Sequence, residues 1–263
     1  MRDLDFTFEP RLDPRHARLI RDVFFTERSR GLGLHLHFPW LGRDEGTLYA
    51  GLRDGEHWLA GLCIRPISTR TANAAAVGLV CVRAELRSQG LGRQLLEASL
   101  AALDDRGVDA LTLWTGKPEV YRSHGFEVDD AGLLIHVDRV EPVVPTHFDE
   151  TSWPLATDAR GLPPFALGAR RLRRGHANAI ALRDAFGDAV AEWQGPDDEV
   201  SELLAATMPR QWRLHATTAD TLPASLRGRG AVLRSEPIRL QMWRWRAGQP
   251  HRAMPTLRLL DRI

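Results

Sequence analysis

VGLVCVRAELRSQGLGRQLLEASL, Val77 to Leu100, decides how this chain reads. An apolar run ends at Val82, and a short polar stretch leads to Gly90 and Gly92. Then Leu91, Leu95, Ala98 and Ala102 recur at helical spacing, broadened by Leu96, Ser99 and Leu103. That pattern predicts a strand, a turn and an amphipathic helix, with Gly107 ending the helix. The first amides of a helix have no intrahelical acceptor and carry positive dipole density. A helix opened by glycines therefore suits a phosphate or pyrophosphate. Gly90 and Gly92 leave no side chain to keep a ligand off the backbone. Arg87 and Arg93 can add charge-assisted contacts. The loop has neither the Lys-Ser/Thr ending of a nucleotide phosphate loop nor the three-glycine dinucleotide fingerprint.

A second stretch, LTLWTGKPEVYRSHGF from Leu111 to Phe126, reads as a strand to Trp114, a short helix and an exit at Gly125. It holds Tyr121, one of only two tyrosines in the chain.

The two stretches, in this order, resemble the GCN5-related N-acetyltransferase (GNAT) superfamily. Arg87, Gly90 and Gly92 meet its Arg/Gln-x-x-Gly-x-Gly/Ala signature, and Tyr121 before Gly125-Phe126 meets its second mark. The resemblance covers roughly residues 3 to 138 and implies an α/β acyl-CoA N-acyltransferase fold. In that fold a mixed, largely antiparallel, splayed sheet carries flanking helices. It implies acetyl-CoA as acyl donor, with its pantetheine arm on the backbone of Val80, Cys81 and Val82. The pyrophosphate would lie on the amides of Ser88, Gln89, Gly90, Leu91, Gly92 and Arg93, beside Arg87. Tyr121 would protonate the leaving thiolate, a step for which a neutral hydroxyl is suited. The acceptor would be a small-molecule or peptide amine. Ala84-Glu85 replaces the family's frequent Pro-Glu, and Gly116-Lys117-Pro118 stands where its asparagine is common. That last feature resembles the Eis-type acetyltransferases, which carry a second, degenerate acetyltransferase-like domain.

The rest of the chain fits a repeat by element order alone: hairpin, helix, strand, short helix, hairpin. Strands are expected over 47–52 and 58–66 across Asp54-Gly55, and hairpins over 126–137 and 231–245. The expected division is an acetyltransferase domain at 1–140, a proline-rich linker at 141–164 and a degenerate or accessory α/β domain at 165–263. The second half has no glycine signature before a helix and is not expected to bind CoA. Trp243 and Trp245, on one strand face with Gln241, fit burial against a sheet or in a homodimer.

Other residues weigh less. His35 and His37, in a segment read as irregular, are candidates for a base or an acceptor contact, and equally for solvent-facing side chains. Glu45 and Glu56 are further carboxylates. Phe38, Trp40 and Trp114 suggest a partly apolar acceptor pocket, although Trp114 is as natural in a core. No metal site is expected, because no third ligand accompanies the histidines. Arg170, Arg171, Arg173 and Arg174 could mark nucleic-acid binding, but a solvated or ion-paired face is the plainer reading. A net charge of +1 gives no electrostatic case for nucleic acid. No long apolar run or leader-like start argues for a membrane, and Cys63 and Cys81 read as buried free thiols of a cytoplasmic protein. The rival to an enzyme is a non-catalytic acyl-CoA-binding regulatory protein.

Overall fold

A computed structural model describes residues 4–27, 33–43, 46–69, 72–139, 147–155, 158, 160–248 and 257–262. The chain forms two compact units. One is Met1–Asp129 with Leu240–Pro255 and Arg262–Ile263, and the other is Asp130–Arg239 with Thr256–Asp261.

The first unit runs β1 (Asp5–Glu9), α1 (Pro14–Arg21), α2 (Leu34–His37), β2 (Leu48–Asp54), β3 (His57–Ile67) and β4 (Ala74–Val82). Then come α3 (Leu91–Asp105), β5 (Ala110–Trp114), α4 (Pro118–Arg122) and β6 (Glu127–Val128). The second unit runs β7 (Gly132–Arg139), β8 (Asp149–Trp153), β9 (Gly168–Arg174), β10 (Ala177–Asp184) and β11 (Gly187–Gln194). It continues with α5 (Asp197–Thr207), β12 (Gln211–Thr217), α6 (Leu222–Gly228) and β13 (Ala231–Pro237). The last strand, β14 (Gln241–Trp245), belongs to the first unit.

The first sheet has the order β1-β2-β3-β4-β5-β14-β6 and the second β8-β9-β10-β11-β12-β7-β13. Strands β1 to β6 thus correspond one by one to β8 to β13, and β14 and β7 are exchanged between the halves. The second half is a tandem repeat of the first. The hairpins expected over 126–137 and 231–245 do not form. β6 has only two residues, both exposed, and pairs with β14 instead of β7. The apolar face of β7, Ile135 and Val137, lies instead in the second core with Trp212 and Leu214. Arg239 has a φ of 56° and breaks the run that reads as one strand through 238–245. The segment expected as a linker contains β8, which pairs with β9.

In the first unit α3 covers one sheet face, packing Leu95, Leu100 and Leu103 on Ala60, Leu62 and Val77. Each such buried leucine contributes about 2 kcal/mol. Asp13 caps α1, accepting from the Arg15 amide at 2.7 Å, and Pro14 occupies its first turn. α1 and α2 pack Leu19, Ile20 and Leu34 with Tyr49, Cys63, Leu79 and Cys81. Gly51 and Gly61 face each other across β2 and β3. A Cβ on Gly51 would stand 2.1 Å from the Trp58 ring, and one on Gly61 would stand 2.0 Å from His16 Nε2. The two glycines form a trough that receives the stacked His16 and Trp58 rings, 4.6 Å apart.

In the second unit α5 and α6 supply Leu203, Leu204 and Leu226 to one core. Trp153, Leu162, Leu182, Leu259 and Leu260 form another. Among the described residues no helix separates β8 from β9, so the repeat is partial. The arginine-rich β9 is ion-paired: Arg170 with Glu150 at 3.0 Å, Arg171 with Asp158 at 3.1 Å and Arg174 with Glu202 at 2.5 Å.

Candidate active site

β4 and β5 are parallel neighbours only through Ala74–Ala76 and Ala110–Thr112. Beyond that the strands part. On its other side β4 pairs with β3, but Cys63 faces Gly78 while Gly61 faces Cys81. Leu62 therefore opposes both Leu79 and Val80, a β-bulge, and Leu79 takes a φ of 53°. The bulge turns the β4 backbone where the wedge opens. Val80, Cys81 and Val82 lie on β4 beyond the last residue paired with β5. Trp114 closes β5, paired on its other side with Gln241 of β14.

The connection to α3 is a single 3₁₀ turn, Ala84–Leu86, followed by Arg87 in extended conformation. Ser88 has a φ of 64° and Gly90 of 84°. The first α3 amide with an intrahelical bond is Gln94, which donates to the Gly90 carbonyl at 3.0 Å, and Gly90 provides no side-chain cap. The amides of Leu91, Gly92 and Arg93 remain open to an anion. A Cβ on Gly90 would meet nothing within 4 Å, so its glycine serves the left-handed φ. A Cβ on Gly92 would lie 3.5 Å from Val82 Cγ2, on the line from the helix to the wedge.

The other site residues fall as follows. Arg87 donates from Nε to the Val82 carbonyl at 3.2 Å and from Nη2 to Glu27 Oε2 at 2.6 Å. Arg93 donates to Glu97 at 2.8 Å, and Gln89 donates to the Glu85 carbonyl at 3.3 Å. The Cys81 thiol donates to the Gly61 carbonyl at 3.4 Å, and burial pushes it up to about 12. Burial likewise raises the Cys63 thiol. Both are free and buried, so Cys81 presents its backbone to the wedge and not a nucleophile. Tyr121 sits on α4, half-buried, with its ring edge-on to Phe126 at 6.0 Å. Burial raises its hydroxyl above the ordinary phenol range, so it is a protonated donor at neutral pH. Among the described residues no group hydrogen-bonds to that hydroxyl.

Several weaker candidates are settled by position. His35 and His37 lie on a helical turn and not on an irregular segment. Two residues apart on a helix, they diverge by about 200°. His35 is exposed, and His37 is buried against Phe25 at 5.0 Å between ring centres. Phe38 and Trp40 are interior residues of the α1–α2 core. Trp114 is half-buried, with the Arg262 guanidinium over its ring at 5.9 Å. Glu56 is exposed and paired with Arg15; Glu45 lies outside the described residues. Among the described residues no His, Cys, Asp and Glu group is placed to hold a metal, and no helix is long and apolar enough to cross a membrane.

Two groups go unnoticed in the sequence. Glu27 follows a π-turn, Asp22–Thr26, whose signature is the Glu27 amide donating to the Asp22 carbonyl at 2.9 Å. His16 is fully buried with neither ring nitrogen bonded. The strand-interior glycines 51 and 61 are a signal for the latter, because such glycines often mark close approach of another group.

The second unit repeats the wedge and the bulge. β11 and β12 pair only through Ala189–Val190 and Arg213–Leu214. A register shift leaves Ala191 as the extra residue of β11. Its helix opens differently: Pro196 is followed by Asp197, Asp198 and Glu199.

The family model described as "Acetyltransferase (GNAT) family" matches residues 15–126. No curated protein matches this chain in sequence. Among solved structures, the chain is similar to a probable N-acyltransferase from Enterococcus faecalis, with a TM-score of 0.64 and 14% identity. It is also similar to Eis1 from Mycobacterium abscessus, at 0.59 and 14%. Each match covers 92% of this chain and 73% of the other. A tandem GNAT protein from the clavulanic acid biosynthesis pathway aligns over 95% of this chain and all of its own, with a TM-score of 0.56 and 12% identity. At these identities the likeness is one of fold.

Proposed function

Since residues 15–126 form a domain of the acetyltransferase (GNAT) family, we propose that this chain moves an acetyl group from acetyl-CoA to a primary amine. The observation that carries the reading is the parting of β4 from β5 after Thr112, directly beside a helix whose first amides are open. The β4 edge at Val80–Val82, unpaired by β5, offers the backbone donors and acceptors that a pantetheine amide chain needs. The open turn from Ser88 to Arg93 offers the donors that a pyrophosphate needs.

The neutral amine attacks the thioester carbonyl, forming the C–N bond, while a β4 amide near Val82 polarises the carbonyl oxygen. The C–S bond breaks, and the Tyr121 hydroxyl gives its proton to the departing sulfur. The proton lost by the amine returns through solvent to the tyrosine. Burial keeps Tyr121 protonated, which favours the acid role. The buried free thiols fit a reducing, cytoplasmic setting. Three of the four patch arginines, Arg170, Arg171 and Arg174, are engaged in ion pairs, which supports the reading of an ion-paired face over nucleic-acid binding.

The test is thiol release from acetyl-CoA with pooled primary amines. Turnover is expected with one acceptor class, and Tyr121→Phe is expected to cut it about a hundredfold or more while CoA binding persists. CoA binding without turnover in any amine pool would favour the regulatory reading. Unchanged turnover in the Tyr121 variant would remove the acid role.

A further inference from the structure

The residue that opens the loop signature, Arg87, does not point freely at a ligand. Both Nε and Nη2 are engaged, the first by the Val82 carbonyl and the second by Glu27, sixty residues earlier in the chain. The other side-chain bonds that residues 84–90 make among the described residues stay within their own segment. Besides Arg83 at the start of the connection, which donates to the Trp58 carbonyl of β3 at 2.6 Å, the Arg87–Glu27 bond is the side-chain tie from this loop to a distant element.

The backbone around Glu27 is built to deliver it. α1 runs into the π-turn Asp22–Thr26, where one residue is added to the helical repeat. A regular α-helix would turn the residue at position 27 by roughly 100° away from where it stands. The Glu27–Arg87 pair also lies close enough to Cys81 for both charges to act on its thiol, in opposite senses. The pair thus sits at the end of β4, where the strand becomes the loop. That loop needs restraint: Ser88 holds a left-handed φ without being glycine, a conformation that persists only where its surroundings impose it.

We propose that Glu27 is a positioning residue for the donor site. Its carboxylate fixes Arg87 and, through the Arg87–Val82 bond, holds the β4-to-α3 loop in the shape that receives a pyrophosphate. This rests on the proposed function only in taking that loop as the pyrophosphate seat. Because Glu27 acts through Arg87, its effect is confined to ligands that engage the loop.

Calorimetric titration with CoA, and with pantetheine as a ligand lacking the pyrophosphate, tests it on the full chain. Glu27→Gln is expected to weaken CoA five- to tenfold, leaving pantetheine and the thermal midpoint unchanged. Arg87→Gln is expected to do the same. The double variant should be no weaker than the worse single one, because both break one contact. Equal or tighter CoA binding by Glu27→Gln overturns the proposal, as does strict additivity of the two variants. A wild-type chain that binds pantetheine but gains nothing from the pyrophosphate overturns the reading of the loop itself.

Discussion

β4 reaches α3 through residues 83–90, whereas β11 reaches α5 through Gly195 and Pro196 alone. Both helices start beside a bulged strand at the mouth of a wedge, yet their first turns are opposite in charge. α3 opens with Leu91, Gly92 and Arg93 and leaves three amides without acceptors. α5 opens with Asp197, Asp198 and Glu199, and Glu199 also accepts from the His176 amide at 3.1 Å. Acidic residues in a first turn stabilise a helix by about 0.3–1 kcal/mol each. The second unit answers its helix dipole with its own carboxylates, and the first leaves that dipole for something else. If the α3 start is the proposed pyrophosphate seat, the difference teaches that such a seat needs a helix start left unstabilised, which the second unit does not have.

The sharpest way to break the comparison is to give α3 the start of α5. Leu91→Asp, Gly92→Asp and Arg93→Glu together are expected to weaken CoA binding by at least about a hundredfold, since carboxylates would stand beside the open amides proposed to receive the pyrophosphate. Dipole and glycine terms in the same variant favour the helix by about 1–2 kcal/mol, against the loss of Leu91 packing and of the Arg93–Glu97 bond, so its net stability is expected to change far less than its CoA affinity. Calorimetry and chemical denaturation on one preparation would show both. Retained CoA affinity would mean that the first turn is not the anion seat.

A second contrast concerns the opposite sheet face. β10 carries Ile180 and Leu182 on that face and no glycine, whereas β2 and β3 meet at Gly51 and Gly61 to receive Trp58 and His16. Gly61→Ala would put a methyl 2.0 Å from His16 Nε2, a conflict with a ring that cannot retreat from a closed core. A loss of about 3 kcal/mol is expected. His16→Ala in the same chain should restore part of it, a coupling of about 1–2 kcal/mol in a double-mutant cycle. Additive losses would show that the ring and the glycine are not matched.

Most local elements of both units could be read from the sequence, because each carries its own period. The α3 stripe Leu91–Leu95–Ala98–Ala102, the Asp13-Pro14 start of α1 and the Asp54-Gly55 hairpin all fold as their residues dictate. The strand exchange could not be read. β7 and β14 have the alternation of any half-buried strand, and nothing local says which sheet they complete. Their destination is set by distant partners, such as Thr112, whose Oγ1 donates to the Met242 carbonyl at 2.9 Å. Arg244 of β14 likewise grips Asp104 of α3 through two bonds, at 2.9 and 2.7 Å. At the candidate site the glycines and Tyr121 announce themselves. Glu27 does not, because its role depends on a π-turn, and a one-residue change of helical repeat has no composition of its own.

The smallest expected effect concerns how each unit buries a titratable group. In the second, Glu192 is 8% exposed and holds Arg160 through two contacts, one of them at 3.0 Å. The Arg160 guanidinium answers it. In the first, His16 is 0% exposed, stacked on Trp58 and edge-on to Tyr49, with no bonded nitrogen. Burial lowers it to about 4, against which the nearby Asp13 charge is the lesser influence. Arg15 stands between them in charge, engaging both Asp13 and Glu56. A histidine whose folded value lies below its unfolded value of about 6.5 binds its proton more readily unfolded. Its contribution is complete above pH 6.5 and is lost as pH falls from there towards 4. Linkage puts the loss at about 2 kcal/mol between pH 7.5 and 5. Denaturation midpoints at the two pH values should show it, and His16→Gln should remove most of the difference while the Arg160–Glu192 pair is untouched. A wild-type chain as stable at pH 5 as at 7.5 would mean that His16 finds a partner on protonation, and the contrast between a paired and an unpaired buried titratable group would fall.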